Sequence, residues 1–270
     1  MPKLPKLPAP PLPGPLQEPP PRPGEGNGKA GPLDGAAQAG ITVVDWIDER
    51  TSLSGAARWM MFRKVPKGTN WFYTLGSATM FAFLSQAFTG VFLAMYYRPE
   101  PAGGAYESIR YVTNDVFLGQ FVRGMHKWGS SVMVVLVFLH MGRTFFFGAY
   151  KYPRELNWVI GVVLLILTMV MSFTGYLLPF DQRAYWATIV GVNINGTGPL
   201  IGPYLSDFLR GGSEFGATTL SRFYAIHMLI VPGLLAALIG AHLYLVAKLG
   251  TTAPPWTKAQ KRVELRETEI

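Results

Sequence analysis

Four histidines constrain this chain more than any other residues. They are its only four, and they fall as two pairs inside long apolar runs, His126 with His140 and His227 with His242. The members of the pairs stand fourteen and fifteen residues apart. On a helix rising ~1.5 Å per residue these spacings are ~21 and ~22 Å along the axis, and at ~100° per residue each pair keeps roughly to one face. Two such helices side by side present histidines at two depths. The pattern predicts two stacked haems, each held by two imidazoles.

Composition says which solvent surrounds those helices. Of 270 residues, 49% are hydrophobic and only 15% charged, where a soluble domain carries ~25% charged residues. The chain is therefore expected to be an all-α membrane protein. Four runs are long enough to cross ~30 Å of hydrocarbon as helices: about residues 69–97, 121–147, 157–178 and 222–248. They form a four-transmembrane-helix bundle over residues 68–250. The absence of cysteine excludes disulfides, iron–sulfur ligation by this chain and a covalently attached c-type haem. The formal charge of +8 is what cytoplasmic loops and anionic lipid account for, so no nucleic-acid partner is inferred.

Outside the bundle the sequence changes character. Residues 1–40 hold most of the prolines and are expected to form a disordered Pro/Gly-rich tail. Residues 41–67 mix Val43, Val44, Trp46, Ile47 and Leu53 with Asp45, Asp48, Glu49, Arg50 and Arg58, the pattern of an amphipathic surface helix. The connection at about 181–221 is expected to carry two short surface helices, punctuated by glycine and proline. Lys and Arg cluster in the N-terminal flank, in the second connection (Lys151, Arg154) and in the C-terminal tail, 251–270. That bias puts both termini in the cytoplasm. His126 and His227 then lie near the outer face, and His140 and His242 near the inner one.

Each feature has a plainer reading. A lone intramembrane histidine can serve as a packed or hydrogen-bonding core residue, but two matched pairs argue against that. A proton relay would bring Asp or Glu into the spans, and none is there. Gly76 and Gly90 repeat at fourteen residues in the first span, as Gly161 and Gly175 do in the third. Helix packing alone could select them. By depth, however, Gly90 and Gly175 match the outer histidines, and Gly76 and Gly161 the inner ones, as clearance beside a flat cofactor requires. Haem propionates need cations. Arg123 and Lys127 beside His126 are the first candidates, followed by Arg143 after His140 and Arg222 before His227. Snorkelling at the helix ends is the alternative for all four.

Specific strings carry a family resemblance. They include Tyr96-Tyr97-Arg98-Pro99, Arg123-Gly124-Met125-His126, Lys151-Tyr152-Pro153-Arg154-Glu155-Leu156, Gly175-Tyr176-Leu177-Leu178-Pro179 and Arg222-Phe223-Tyr224-Ala225-Ile226-His227. Over roughly residues 41–255 the chain resembles cytochrome b of the bc-type quinol-oxidising complexes. The fifteen-residue second spacing is similar to the split form, in which four helices make a separate chain. The resemblance implies a di-haem subunit of a quinol–cytochrome c reductase in the bacterial cytoplasmic membrane, using a quinone of the menaquinone type. It implies a C-terminal cytochrome b half supplying a Pro-Glu-Trp-Tyr motif, a Rieske iron–sulfur protein, a c-type cytochrome and a dimeric complex. Split relatives commonly attach a third haem through a cysteine where this chain has Thr74, and carry a basic residue where it has Ala247. No covalent third haem is expected. The rival readings are a b-type haem anchor of another quinone-linked oxidoreductase and a haem-free transporter.

Overall fold

The computed structural model describes residues 66–257, together with Val43 and residues 45–51. The tail expected at 1–40, most of the surface helix expected over 41–67 and the end of the C-terminal tail lie outside the described residues. The chain divides into two units, Met1–Arg63 and Lys64–Ile270. In the first, residues 45–51 are helical. There the Arg50 guanidinium lies over the Trp46 ring at 4.1 Å and donates to the Trp46 carbonyl at 2.8 Å.

Among its described residues the regular structure of the second unit is all helical. A 3₁₀ turn, Trp71–Thr74, opens the first long helix, α1 (Leu75–Ala94), and the Asn70 side chain accepts from Phe72 N at 3.2 Å to cap it. The remaining helices are α2 (Ala105–Asn114), α3 (Gly119–Phe146), α4 (Glu155–Leu177), α5 (Gln182–Gly196), α6 (Gly202–Arg210), α7 (Ala217–Ala225) and α8 (Val231–Leu249). A single π-helical turn, Ile226–Ile230, joins α7 to α8. Among the described residues four helical rods are long and apolar enough to cross a membrane: Trp71–Ala94, Gly119–Phe146, Glu155–Leu177 and Ala217–Leu249.

Sequence and packing explain the order. α1 packs mainly against α3, and α4 against α8. Between α1 and α3 a small apolar layer of Ala82, Met133 and Val137 is buried. Met133 stands midway in sequence between His126 and His140, so this layer separates the two histidine levels. The denser core lies toward the other end of the second pair, where Leu177, Leu220 and Phe223 are fully buried beneath the connection helices. Phe223 meets Phe173 edge to face at 5.6 Å. A Phe223→Ala chain is expected to lose ~3–5 kcal/mol of stability, measured as a lower unfolding midpoint in detergent.

The two helices expected in the third connection are α5 and α6. Asp181 starts α5 by accepting from Ala184 N at 2.7 Å, and Gly211 ends α6 with φ +79°. Such a left-handed C-terminus favours glycine. α2, in the first connection, had no individual signal. Only Ala105, Ser108 and Val112 turn inward, too short and too small a stripe to stand out in a ten-residue segment.

The C-terminal segment begins differently from a free tail. Tyr73 Oη donates to the Thr252 carbonyl at 3.1 Å, and Trp256 Nε1 to the Gly68 carbonyl at 3.2 Å. Arg154 donates to the carbonyls of Gly250 and Leu249 at 3.2 and 3.1 Å. Residues 250–257 are therefore clasped against the start of the first rod and the second connection.

Candidate metal centre

The two histidine levels are nearly identical in geometry. The rings of His126 and His227 have centroids 6.4 Å apart and planes crossing at 77°. Those of His140 and His242 are 6.4 Å apart and cross at 78°. An imidazole nitrogen sits ~1.2 Å from its ring centroid, so facing nitrogens at this spacing stand ~4 Å apart, twice the ~2.0–2.1 Å of an imidazole–metal bond. Both levels thus have room for one metal atom between the rings.

This match in depth needs explanation, because the second pair is one residue further apart in sequence. The π-turn supplies it. Val231 N bonds back to the Ile226 carbonyl, five residues earlier, so the turn takes one residue more than an α-turn. The extra residue is absorbed between His227 and His242, and fifteen residues cover the phase that fourteen cover in α3. Pro232 follows directly, where its missing N–H would have broken an α-helical ladder.

Each glycine of the fourteen-residue repeats faces the histidine assigned to its level. A Cβ at Gly90 would meet His126 Cε1 at 3.3 Å, and one at Gly175 would meet His227 Cε1 at 2.5 Å. At the other level, a Cβ at Gly76 would meet His140 Cε1 at 3.1 Å, and one at Gly161 would meet His242 Cε1 at 3.8 Å. The close approach is therefore to the edge of the imidazole ring itself.

Two residues the sequence did not single out also touch the rings. Thr89 Oγ1 lies 2.9 Å from His126 Nδ1, and Thr174 Oγ1 lies 3.2 Å from His227 Nδ1. His227 Nδ1 also donates to the Met171 carbonyl at 3.0 Å. With Nδ1 occupied, Nε2 is the nitrogen left for a metal. The available signal was the dipeptide Thr-Gly, which precedes both glycines of this level and neither of the other.

The four candidate cations differ in their surroundings. Arg143 lies with its guanidinium 3.7 Å over the Tyr73 ring and 5.2 Å from that of Phe147. Its Nε and Nη2 are buried without a hydrogen-bond partner. Unpaired buried donors are costly, and a planar guanidinium suits a carboxylate. Arg123 is half-buried, and Lys127 is exposed near the Trp128 ring. Arg222 instead donates to the Phe208 carbonyl and stacks on that ring at 5.3 Å. It holds α6 rather than reaching toward the histidines.

The donor sets narrow the chemistry. Among the described residues no cluster of three or more His, Cys, Asp or Glu could hold a bare metal ion. Two opposed imidazoles would not by themselves complete a metal's coordination, but such a pair could hold iron that brings the nitrogens of a porphyrin with it.

The chain is similar to known proteins over most of its length. The family model described as Cytochrome b/b6/petB matches residues 60–250. Cytochrome b6 of Heliobacterium modesticaldum is 42% identical over 213 residues, covering 78% of this chain and 100% of that protein. The menaquinol:cytochrome c reductase cytochrome b subunit of Geobacillus thermodenitrificans is 43% identical over 220 residues, covering 78% of this chain and 98% of that one. A chain of a hyperthermophilic respiratory complex III superposes with a TM-score of 0.70 at 33% identity. That match covers 77% of this chain and 55% of the other, so here the chain spans about half of its structural relative. On the extent of these matches, the chain belongs to the cytochrome b/b6/petB family.

Proposed function

We propose that the chain is the di-haem cytochrome b subunit of a quinol–cytochrome c reductase complex. It carries electrons across the membrane, from a quinol-oxidation site near the outer face to a quinone-reduction site near the inner face, and so couples quinol oxidation to proton translocation. Membership of a family of b-type haem proteins that work with quinones supports the class. The observation that carries the di-haem reading is the repeated ring pair, with 6.4 Å between centroids at both levels.

In this reading His126 and His227 hold the outer haem, and His140 and His242 the inner one. Haem iron held between two histidines would supply one-electron transfer and would leave no open position for oxygen. Gly76, Gly90, Gly161 and Gly175 keep room for the ligand rings. Arg143 is the best-placed propionate partner, with Arg123 and Lys127 serving the outer level and Arg222 last in rank. The quinone is menaquinone, the substrate named for the Geobacillus relative. A second membrane chain resembling the C-terminal half of cytochrome b, a Rieske protein and a c-type cytochrome complete a dimeric complex. The membrane is the bacterial cytoplasmic one, with both termini inside.

A reduced-minus-oxidised spectrum of the purified complex tests the proposal. The expected result is two b-type α bands that titrate at different potentials. A complex containing this chain with no b-type band would overturn it.

A further inference from the structure

We infer that Thr89 and Thr174 are positioning residues that act on the outer histidine pair alone, through the Nδ1 protons of His126 and His227. This rests on the reading of those histidines as haem ligands. Both threonines are almost fully buried, at 2% and 1% exposure. Each occupies the same place on its own span, directly before the glycine that faces the ring.

The proton roles follow from the neighbours. Thr89 donates its hydroxyl proton to the Ser85 carbonyl at 2.7 Å, and Thr174 donates to the Val170 carbonyl at 2.9 Å. Each oxygen is left only lone pairs to offer the imidazole, so Nδ1 is the donor in both contacts. For His227 the Met171 carbonyl, which can only accept, requires the same proton position. The outer rings are thereby fixed as Nδ1–H tautomers with Nε2 free. An acceptor on Nδ1–H also makes the imidazole a more basic ligand, and a more basic ligand favours ferric over ferrous iron.

The inner level lacks this arrangement. Fourteen residues before Thr89 and Thr174 stand Leu75 and Ile160, ahead of Gly76 and Gly161. His242 Nδ1 has no hydroxyl beside it; only the Asn157 backbone approaches, and too loosely to make a well-formed hydrogen bond. The two levels nevertheless cross at 77° and 78°. The hydroxyls therefore do not set the ring angle, and their contribution is electronic. The asymmetry biases the outer iron toward the lower potential, which favours electron movement inward.

Potentiometry of the intact, haem-loaded complex tests this. Valine matches the shape of threonine but removes the hydroxyl. Thr89→Val should raise the midpoint of the outer α band, and Thr174→Val should raise it less, because the Met171 carbonyl still accepts from His227 Nδ1. The expected change is roughly tenfold in the ferric-to-ferrous preference, ~59 mV for one electron. The inner band should stay unmoved, and Thr→Ser at either site should keep the parent midpoint. If a valine chain does not assemble, Thr→Ala gives the same measurement with less bulk. Intact bands with an unmoved outer midpoint, an equal shift of both bands, or a serine variant that shifts like valine would overturn the inference. A parent complex without two b-type bands would instead overturn the haem reading beneath it.

Discussion

A His140→Leu chain is expected to lose the inner b-type α band and keep the outer one. Leucine removes one axial nitrogen without adding a charge to the bilayer. Its former partner, His242, would face the metal alone across the 6.4 Å ring separation. One imidazole cannot hold a six-coordinate haem, so the amplitude at that potential should fall to background. The outer pair should be spared, because Ala82, Met133 and Val137 form a buried layer between the levels on α1 and α3. His242→Leu should give the same spectrum, and His126→Leu or His227→Leu the reciprocal one. Retention of both bands in His140→Leu, or loss of the outer band alone, would contradict the pairing. Survival of the second band in each variant also reports that the chain is folded.

The second large effect is expected at Gly175, and it discriminates among the glycines. A Cβ there would stand 2.5 Å from His227 Cε1 and 3.1 Å from both ring nitrogens. Turning the ring aside would break the bond from its Nδ1 to the Met171 carbonyl, made at 3.0 Å. Gly175→Ala must therefore displace the ring or the helix, an overpacking cost of ~1–3 kcal/mol. That corresponds to ~5–150-fold weaker retention of the outer haem. Gly161→Ala is the control, since its Cβ would make an ordinary 3.8 Å contact with His242 Cε1. Haem content of the purified variants, read from the two α bands, should be depleted at the outer level for Gly175→Ala and unchanged for Gly161→Ala. Equal depletion in the two variants would mean that the glycines serve general helix packing.

These expectations separate what is written along the chain from what depends on its folding. Four uncharged runs, two histidine pairs and two glycine repeats were legible in the sequence because each reflects the phase of a single helix. Fourteen residues bring a helix nearly back to the same face, and the ~20 residues that a bilayer demands are enough to carry both members of a pair. The assignment of Gly90 and Gly175 to one level, and of Gly76 and Gly161 to the other, followed from antiparallel order alone.

Other features depend on contacts between segments distant in sequence. The fifteen-residue spacing from His227 to His242 matches the fourteen in α3 only because a π-turn takes up one residue beside Pro232. Thr89 and Thr174 look like ordinary span residues until an imidazole from another helix comes within hydrogen-bonding reach. Arg222 and Arg143 are both cations close to a histidine in sequence. Folding gives one of them to the Phe208 carbonyl and leaves the other with two buried donors beneath Tyr73. The clasp of residues 250–257 likewise joins Tyr73 and Thr252, which stand 179 residues apart in sequence. Periodicity belongs to one helix at a time, so the sequence by itself determined the spans and the two levels of histidines. The partners of each buried polar group come from neighbouring helices, so only the tertiary structure decided how the two levels differ.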